Sequence, residues 1–193
     1  MRTPSLFLPL ALIFAAPLAA SAQDASAWAG AYGGVQLSYG DGFQDYGGGG
    51  GSTYDIYGES YGLFAGYMWT TGAWAYGAEL AYANASFHEY DGPDEYPDYQ
   101  FNHTLDLKAR AGYAMGPALV YGTLGYGFSE WEEGGTDPGD LYDVDGVLVG
   151  VGVDYLVTDQ IFLGAEVLRR GMDSDYPFDA DLTTFTLRAG MTF

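Results

Sequence analysis

The sequence predicts an all-β protein: eight antiparallel strands in an up-and-down meander, closed into a transmembrane barrel. Three observations point there. Segments of about ten residues alternate apolar and polar side chains with period two, as a strand does between lipid and a polar interior. Long acidic stretches and short turns separate these segments in strict alternation. The chain also stops on an aromatic: Phe185, Leu187, Ala189, Met191 and Phe193 share one side of the last segment, and Thr184, Thr186, Arg188, Gly190 and Thr192 the other.

Residues 1–22 read as a separate signal peptide, with Arg2 as a thin positive start, an apolar stretch from Leu6 to Ala16, and Ala20-Ser21-Ala22 as a small-residue cleavage site. Residues 23–193 then form the barrel domain. No cysteine occurs, which excludes a disulfide framework and thiolate metal ligation. No later stretch approaches the roughly 20 apolar residues of a membrane helix. Lysine occurs once, at Lys108, whereas a water-soluble barrel would carry lysine and glutamate over its outer face. The net charge of −20 becomes −21 without Arg2, which argues against nucleic acid as a partner.

The first strand spans about 30–40, with Ala31, Gly33, Val35, Leu37 and Tyr39 outward and Gln36 and Ser38 inward. Residues 41–56 read as a long loop. Its five glycines, Gly47 to Gly51, lack the Gly-Lys-Ser/Thr ending and following helix of a phosphate cradle. The second strand, about 57–69, turns through Thr70-Thr71-Gly72 into the third, about 73–84, with Gly77 and Glu79 inward. After a loop at 85–99, the fourth strand, about 101–114, sends Leu105, Leu107, Ala109, Ala111 and Tyr113 outward and Asp106, Lys108 and Arg110 inward. Met115-Gly116-Pro117 leads to the fifth, about 118–128. Its glycines are in the wrong order for a dinucleotide fingerprint and open no helix. An acidic loop at 129–143 precedes the sixth strand, about 144–156, with Asp154 inward. A short link at 157–160 leads to the seventh, about 161–170, with Glu166 and Arg170 inward, and a loop at 171–180 leads to the last. Brief turns facing the periplasm and long loops facing outside fit such a barrel, and an even strand count puts both termini on the periplasmic side.

Gly62-Leu-Phe-Ala-Gly-Tyr-Met-Trp69, Tyr76-Gly-Ala-Glu79, the stretch from Asp145-Gly146 through Gly150 and Gly152 to Asp154-Tyr155, and Arg188-Ala-Gly-Met-Thr-Phe193 together resemble the small eight-stranded porin-family outer-membrane proteins of Gram-negative bacteria. These are related in fold to opacity proteins and to the membrane domain of outer membrane protein A. Asp154 stands where family members usually carry Glu. The resemblance implies the bacterial outer membrane as location, outer-membrane lipid and lipopolysaccharide as surroundings, and recognition by barrel-assembly machinery through Phe193. It implies a role in envelope integrity, with narrow ion conductance as a further option, and neither an enzyme nor a cofactor. No peptidoglycan-binding domain follows Phe193, so tethering to the wall by that route is not expected.

The residues expected to act fall into groups. Glu79, Asp106, Lys108, Arg110, Asp154, Glu166 and Arg188 should form a charge network in the lumen, with pairings that the sequence leaves open. That network reads first as a salt-bridged plug and second as a switchable gate. Trp69, Trp74, Tyr113, Tyr155 and Phe193 should form the periplasmic aromatic belt, with Tyr39, Tyr82, Tyr126 and Phe128 at the outer boundary. Asp137/Asp140/Asp143/Asp145 and Asp173/Asp175/Asp179/Asp181 are candidates for divalent cations, although neither fits the twelve-residue calcium loop, and the plain reading is a solvated repulsive surface. Ser86, His88 and His103 are weighed as a lipid-modifying catalytic set, against ordinary interfacial histidines. Loop tyrosines Tyr46, Tyr54, Tyr90, Tyr96 and Tyr176 suit either loop ordering or surface adhesion.

Overall fold

The computed structural model describes residues 24–46, 53–90, 100–132, 141–174 and 178–193. Eight strands, β1 (Gly30–Tyr46), β2 (Thr53–Thr71), β3 (Trp74–Tyr90), β4 (Gln100–Met115), β5 (Ala118–Glu132), β6 (Leu141–Leu156), β7 (Ile161–Ser174) and β8 (Phe178–Thr192), each pair antiparallel with the next. β8 closes on β1, with Leu37 opposite Leu187 and Tyr32 opposite Thr192. Closure removes the sheet edges, whose unpaired N–H and C=O groups would be costly in hydrocarbon.

Alternation sets which side each residue takes. β2 shows it over its whole length, with Ile56, Ser60, Phe64 and Met68 buried and Tyr61, Leu63, Tyr67 and Trp69 facing out. Around the barrel, Val35, Leu37, Leu63, Leu80, Leu107, Leu124, Val151, Leu163 and Leu187 remain exposed, Leu37 by 64% and Val151 by 65%. An exterior so apolar is that of a sheet solvated by lipid.

The strands run well past this apolar band. At about 3.3 Å per residue, the 19-residue β2 runs roughly 60 Å along its axis, or roughly 45 Å of height at a tilt of about 40°, while a lipid-facing band is about 25 Å tall. Much of what the sequence suggested as loop is therefore strand, including 41–46, 53–56, 85–90, 129–132 and 171–174. The reason lies in the lumen. In these outer extensions the apolar residues turn inward: Ile56, Phe87, Phe101, Trp131, Val144, Met172, Ala180 and Leu182 form a buried cluster, while acidic residues such as Asp45 and Asp173 face out. Alternation persists with its polarity reversed, which gives a strand above the membrane the look of an acidic loop.

A second apolar cluster closes the periplasmic end, where Tyr32, Phe64, Met68, Leu119, Tyr121 and Phe162 converge. One 3-10 turn, η1 (Ala25–Trp28), packs into it ahead of β1; the sequence reading assigned no element there. Two hairpin turns at this end place glycine at positive φ, Gly72 at 56° and Gly116 at 65°, a conformation that side chains disfavour.

Replacing lipid-facing Leu187 with Arg should cost roughly 2–4 kcal/mol of unfolding free energy, and the same change at Thr183, near the outer rim, no more than about 1 kcal/mol. Urea unfolding of the barrel folded into phospholipid vesicles measures both.

Candidate functional site

Between the two apolar clusters lies a layer of ions. The inward positions of β3, β4, β6, β7 and β8 supply Glu79, Asp106, Lys108, Arg110, Asp154, Glu166, Arg170 and Arg188, each at most 7% exposed. Strand register brings together residues far apart in sequence. Glu79 is the hub. Its Oε1 lies 2.6 Å from Lys108 Nζ, and its Oε2 accepts from Arg110 Nη1 at 3.0 Å, Arg188 Nη2 at 2.6 Å and Tyr32 Oη at 2.9 Å.

The network continues on both sides of this hub. Lys108 Nζ also donates to Glu166 Oε2 at 3.1 Å, and Thr123 Oγ1 to Glu166 Oε1 at 2.9 Å. Arg110 Nη2 donates to Asp154 Oδ2 at 2.6 Å, and Arg188 Nε stands 3.5 Å from Asp154 Oδ1. Both guanidiniums also stack on rings, Arg110 at 3.7 Å from the Tyr121 centroid and Arg188 at 4.0 Å from that of Phe64. Asp106 stands apart. Its partner is Arg170 Nη2, and Arg170 Nη1 donates to Thr184 Oγ1 at 3.0 Å.

Four carboxylates meet four cations here, so the layer carries no net charge. Such balance is what lets ions remain buried: an unpaired charge in this surrounding would cost several kcal/mol. The voids beside the layer are small. One of about 10 Å³ is bounded by Asp106, Lys108, Glu166 and Arg170 with the hydroxyls of Ser38 and Thr186, room for about one water. Side chains fill the lumen, as eight strands allow.

Inward glycines make the packing feasible. A Cβ on Gly164 would sit 2.0 Å from Asp154 Oδ1, and one on Gly152 would sit 2.4 Å from the Tyr121 ring. These positions are small because the residues paired with them on the adjacent strand are large.

All seven residues of the expected charge network lie in this layer. The sequence reading placed Arg170 inward but left it out of the network, and it left out Tyr32, Tyr121 and Thr123. Their signal was parity alone: Tyr32 has the parity of Gln36, and Tyr121 and Thr123 that of the inward glycines of β5. The periplasmic aromatics Trp69, Trp74, Tyr113, Tyr155 and Phe193 all face outward, with Trp74 edge-on to Tyr113 at 5.3 Å and Phe193 73% exposed.

Ser86 and His103 lie on the adjacent strands β3 and β4. His103 pairs across from Asn84 and stacks on Tyr82 at 6.0 Å, while Ser86 lies opposite Glu59 on the β2 side; the His88 side chain is outside the described residues. Of the cation candidates, Asp137, Asp140 and Asp175 lie outside the described residues. Asp145, Asp173, Asp179 and Asp45 form a cross-strand row on the outer rim, and Asp181, one level below, pairs with Arg169 at 3.1 Å. Among the described residues, no three acidic or histidine side chains are grouped to hold a metal. Of the tyrosines expected in loops, Tyr46, Tyr54 and Tyr90 belong to strands, while Tyr96 and Tyr176 lie outside the described residues.

Comparison with known proteins gives a consistent picture. The family model for the outer membrane protein beta-barrel domain matches residues 9–193. A 22 kDa outer membrane protein of Rhizobium leguminosarum bv. viciae is 29% identical over 162 residues, covering 83% of this chain and 72% of the relative. Among solved structures, Neisserial surface protein A is similar with a TM-score of 0.53 at 18% identity, over 85% of this chain and 99% of that one. Ail, the attachment invasion locus protein of Yersinia pestis, solved in complex with the heparin analogue sucrose octasulfate, is similar with a TM-score of 0.51 at 14% identity, over 85% of this chain and 99% of that one. These two likenesses are likenesses of fold.

Glu79→Gln leaves three buried cations short of one anion and should lower unfolding free energy by about 3–5 kcal/mol. Asp106→Asn, which affects a single cation, should cost distinctly less. Denaturant titration in detergent micelles, followed by the gel shift between folded and heat-unfolded barrel, measures the difference.

Proposed function

Because the chain belongs to the outer membrane protein beta-barrel domain family and stands in the bacterial outer membrane, we propose that it serves as a sealed structural barrel that supports envelope integrity. The observation that carries this reading is the charge-balanced layer around Glu79, closed above and below by apolar clusters. A path for solute would need an open lumen, whereas the voids beside this layer hold about one water each. On this reading the protein acts without catalysis. Its partners are outer-membrane lipid and lipopolysaccharide along the exterior band, and the assembly machinery at Phe193.

A second reading, surface binding by the outer strands, draws on the carboxylate row Asp45–Asp179–Asp173–Asp145. The sulfated ligand seen with Ail does not transfer to this rim, because a polyanion would meet like charge. Here the row favours cationic partners.

A strain lacking the protein should become more permeable to large hydrophobic antibiotics and to detergent, and the purified barrel should give no conductance steps in planar bilayers. Unchanged envelope sensitivity together with loss of cell binding on trimming the outer strands would favour the second reading. Steady ion current through the wild-type barrel would contradict the sealed lumen.

A further inference from the structure

The turn η1 lies against the ion layer from the periplasmic side. Asp24 caps it by accepting from Ser26 N at 3.0 Å, and Ala25 N donates to Gly72 O, in the β2–β3 turn, at 2.8 Å. The chain then leaves through Gly30 at φ 106°, where a Cβ would stand 3.0 Å from the Phe193 carbonyl oxygen. Trp28 is thereby turned into the barrel, 4% exposed and 5.8 Å from the Phe162 ring.

Packing explains the ring of Trp28 but not its indole nitrogen. A buried indole N–H ordinarily finds a partner, and Trp28 Nε1 has none among the described residues. Arg110 Nε and Asp154 Oδ1 also lack a hydrogen bond, on side chains 3% and 1% exposed, with Asp154 Oδ1 in ion-pair reach of Arg188 Nε at 3.5 Å. All three residues bound one cavity of about 10 Å³, together with Tyr32, Phe162 and Thr192. Two buried donors and one buried acceptor on residues that line a space of that size match a single water, which needs about 10–15 Å³ and two to four polar partners. The cavity is too small for a solute, and its cation–anion wall offers no net charge to an ion.

We propose that a resident water in this cavity fastens the N-terminal turn to the ion layer, accepting from Trp28 Nε1 and Arg110 Nε and donating to Asp154 Oδ1. The residues just ahead of β1 are then held by the lumen charges as well as by apolar contact. Each of the three atoms gains the partner that its burial demands.

Solution NMR of the full barrel in detergent micelles tests this. The indole N–H signal lost in Trp28→Phe identifies Trp28. In the wild type that signal should show a cross-peak to water with the sign of a long-lived complex. Trp28→Phe keeps an aromatic ring, smaller than the indole, and removes the donor, so amide exchange at Ala25 and Ala29 should quicken by about three- to tenfold. Asp154→Asn, compared as a second variant, should abolish or shorten the water contact while the Trp28 ring stays packed against Phe162. Absence of a water cross-peak at Trp28, or identical exchange in wild type and Trp28→Phe, overturns the proposal. Ion current through the wild-type barrel would instead count against the sealed lumen and leave this site standing.

Discussion

Everything in this barrel follows from the cost of an unpaired peptide group in hydrocarbon. Lipid offers no hydrogen bond, so the sheet must close, and the β8–β1 pairing does so from Tyr32/Thr192 up to Tyr46/Phe178. Closure with alternating side chains then sorts the chemistry. Leu107, Leu124 and Leu187 go to lipid, and whatever cannot go there goes to the lumen. Charges placed inside must neutralise one another, because water is nearly as scarce there as in the bilayer. The balance of four acids and four bases is a consequence of closure rather than a separate feature.

The same constraint explains why the lumen is layered. An interior of ions alone would leave many donors and acceptors to satisfy at once. Here the charged layer is thin and bounded by apolar side chains, Phe64, Phe162 and Trp28 below and Phe87, Phe101 and Trp131 above. Aromatic rings also serve the cations directly, with Arg110 over Tyr121 and Arg188 over Phe64. The glycines opposite these groups, Gly152 and Gly164, are the counterpart of that bulk. A barrel filled in this way gains rigidity and loses a channel.

The membrane-spanning part was legible because period-two alternation between lipid and lumen is steep: Leu105, Leu107 and Ala109 against Asp106, Lys108 and Arg110 leave little choice of face. The outer extensions were not, since Ile56, Phe87 and Trp131 reverse the pattern and the acids beside them resemble loop residues. Pairings within the lumen could not be read either. Arg188 meets Glu79 across 109 residues, a contact fixed by shear and register that no local pattern encodes. Trp28 stood outside every alternating segment, so nothing marked it as an inward side chain.

The most direct test of the account is a spin-label scan along β8 from Thr183 to Met191 in lipid bilayers, comparing collisions with oxygen, which dissolves in lipid, and with a polar nickel complex, which stays in water. The account predicts oxygen maxima at Phe185, Leu187 and Ala189 with period two, and low nickel collision at every lumen position between them. Nickel collision that peaks at Leu187, or a lumen position at Thr186 as open to nickel as bulk water, would contradict it.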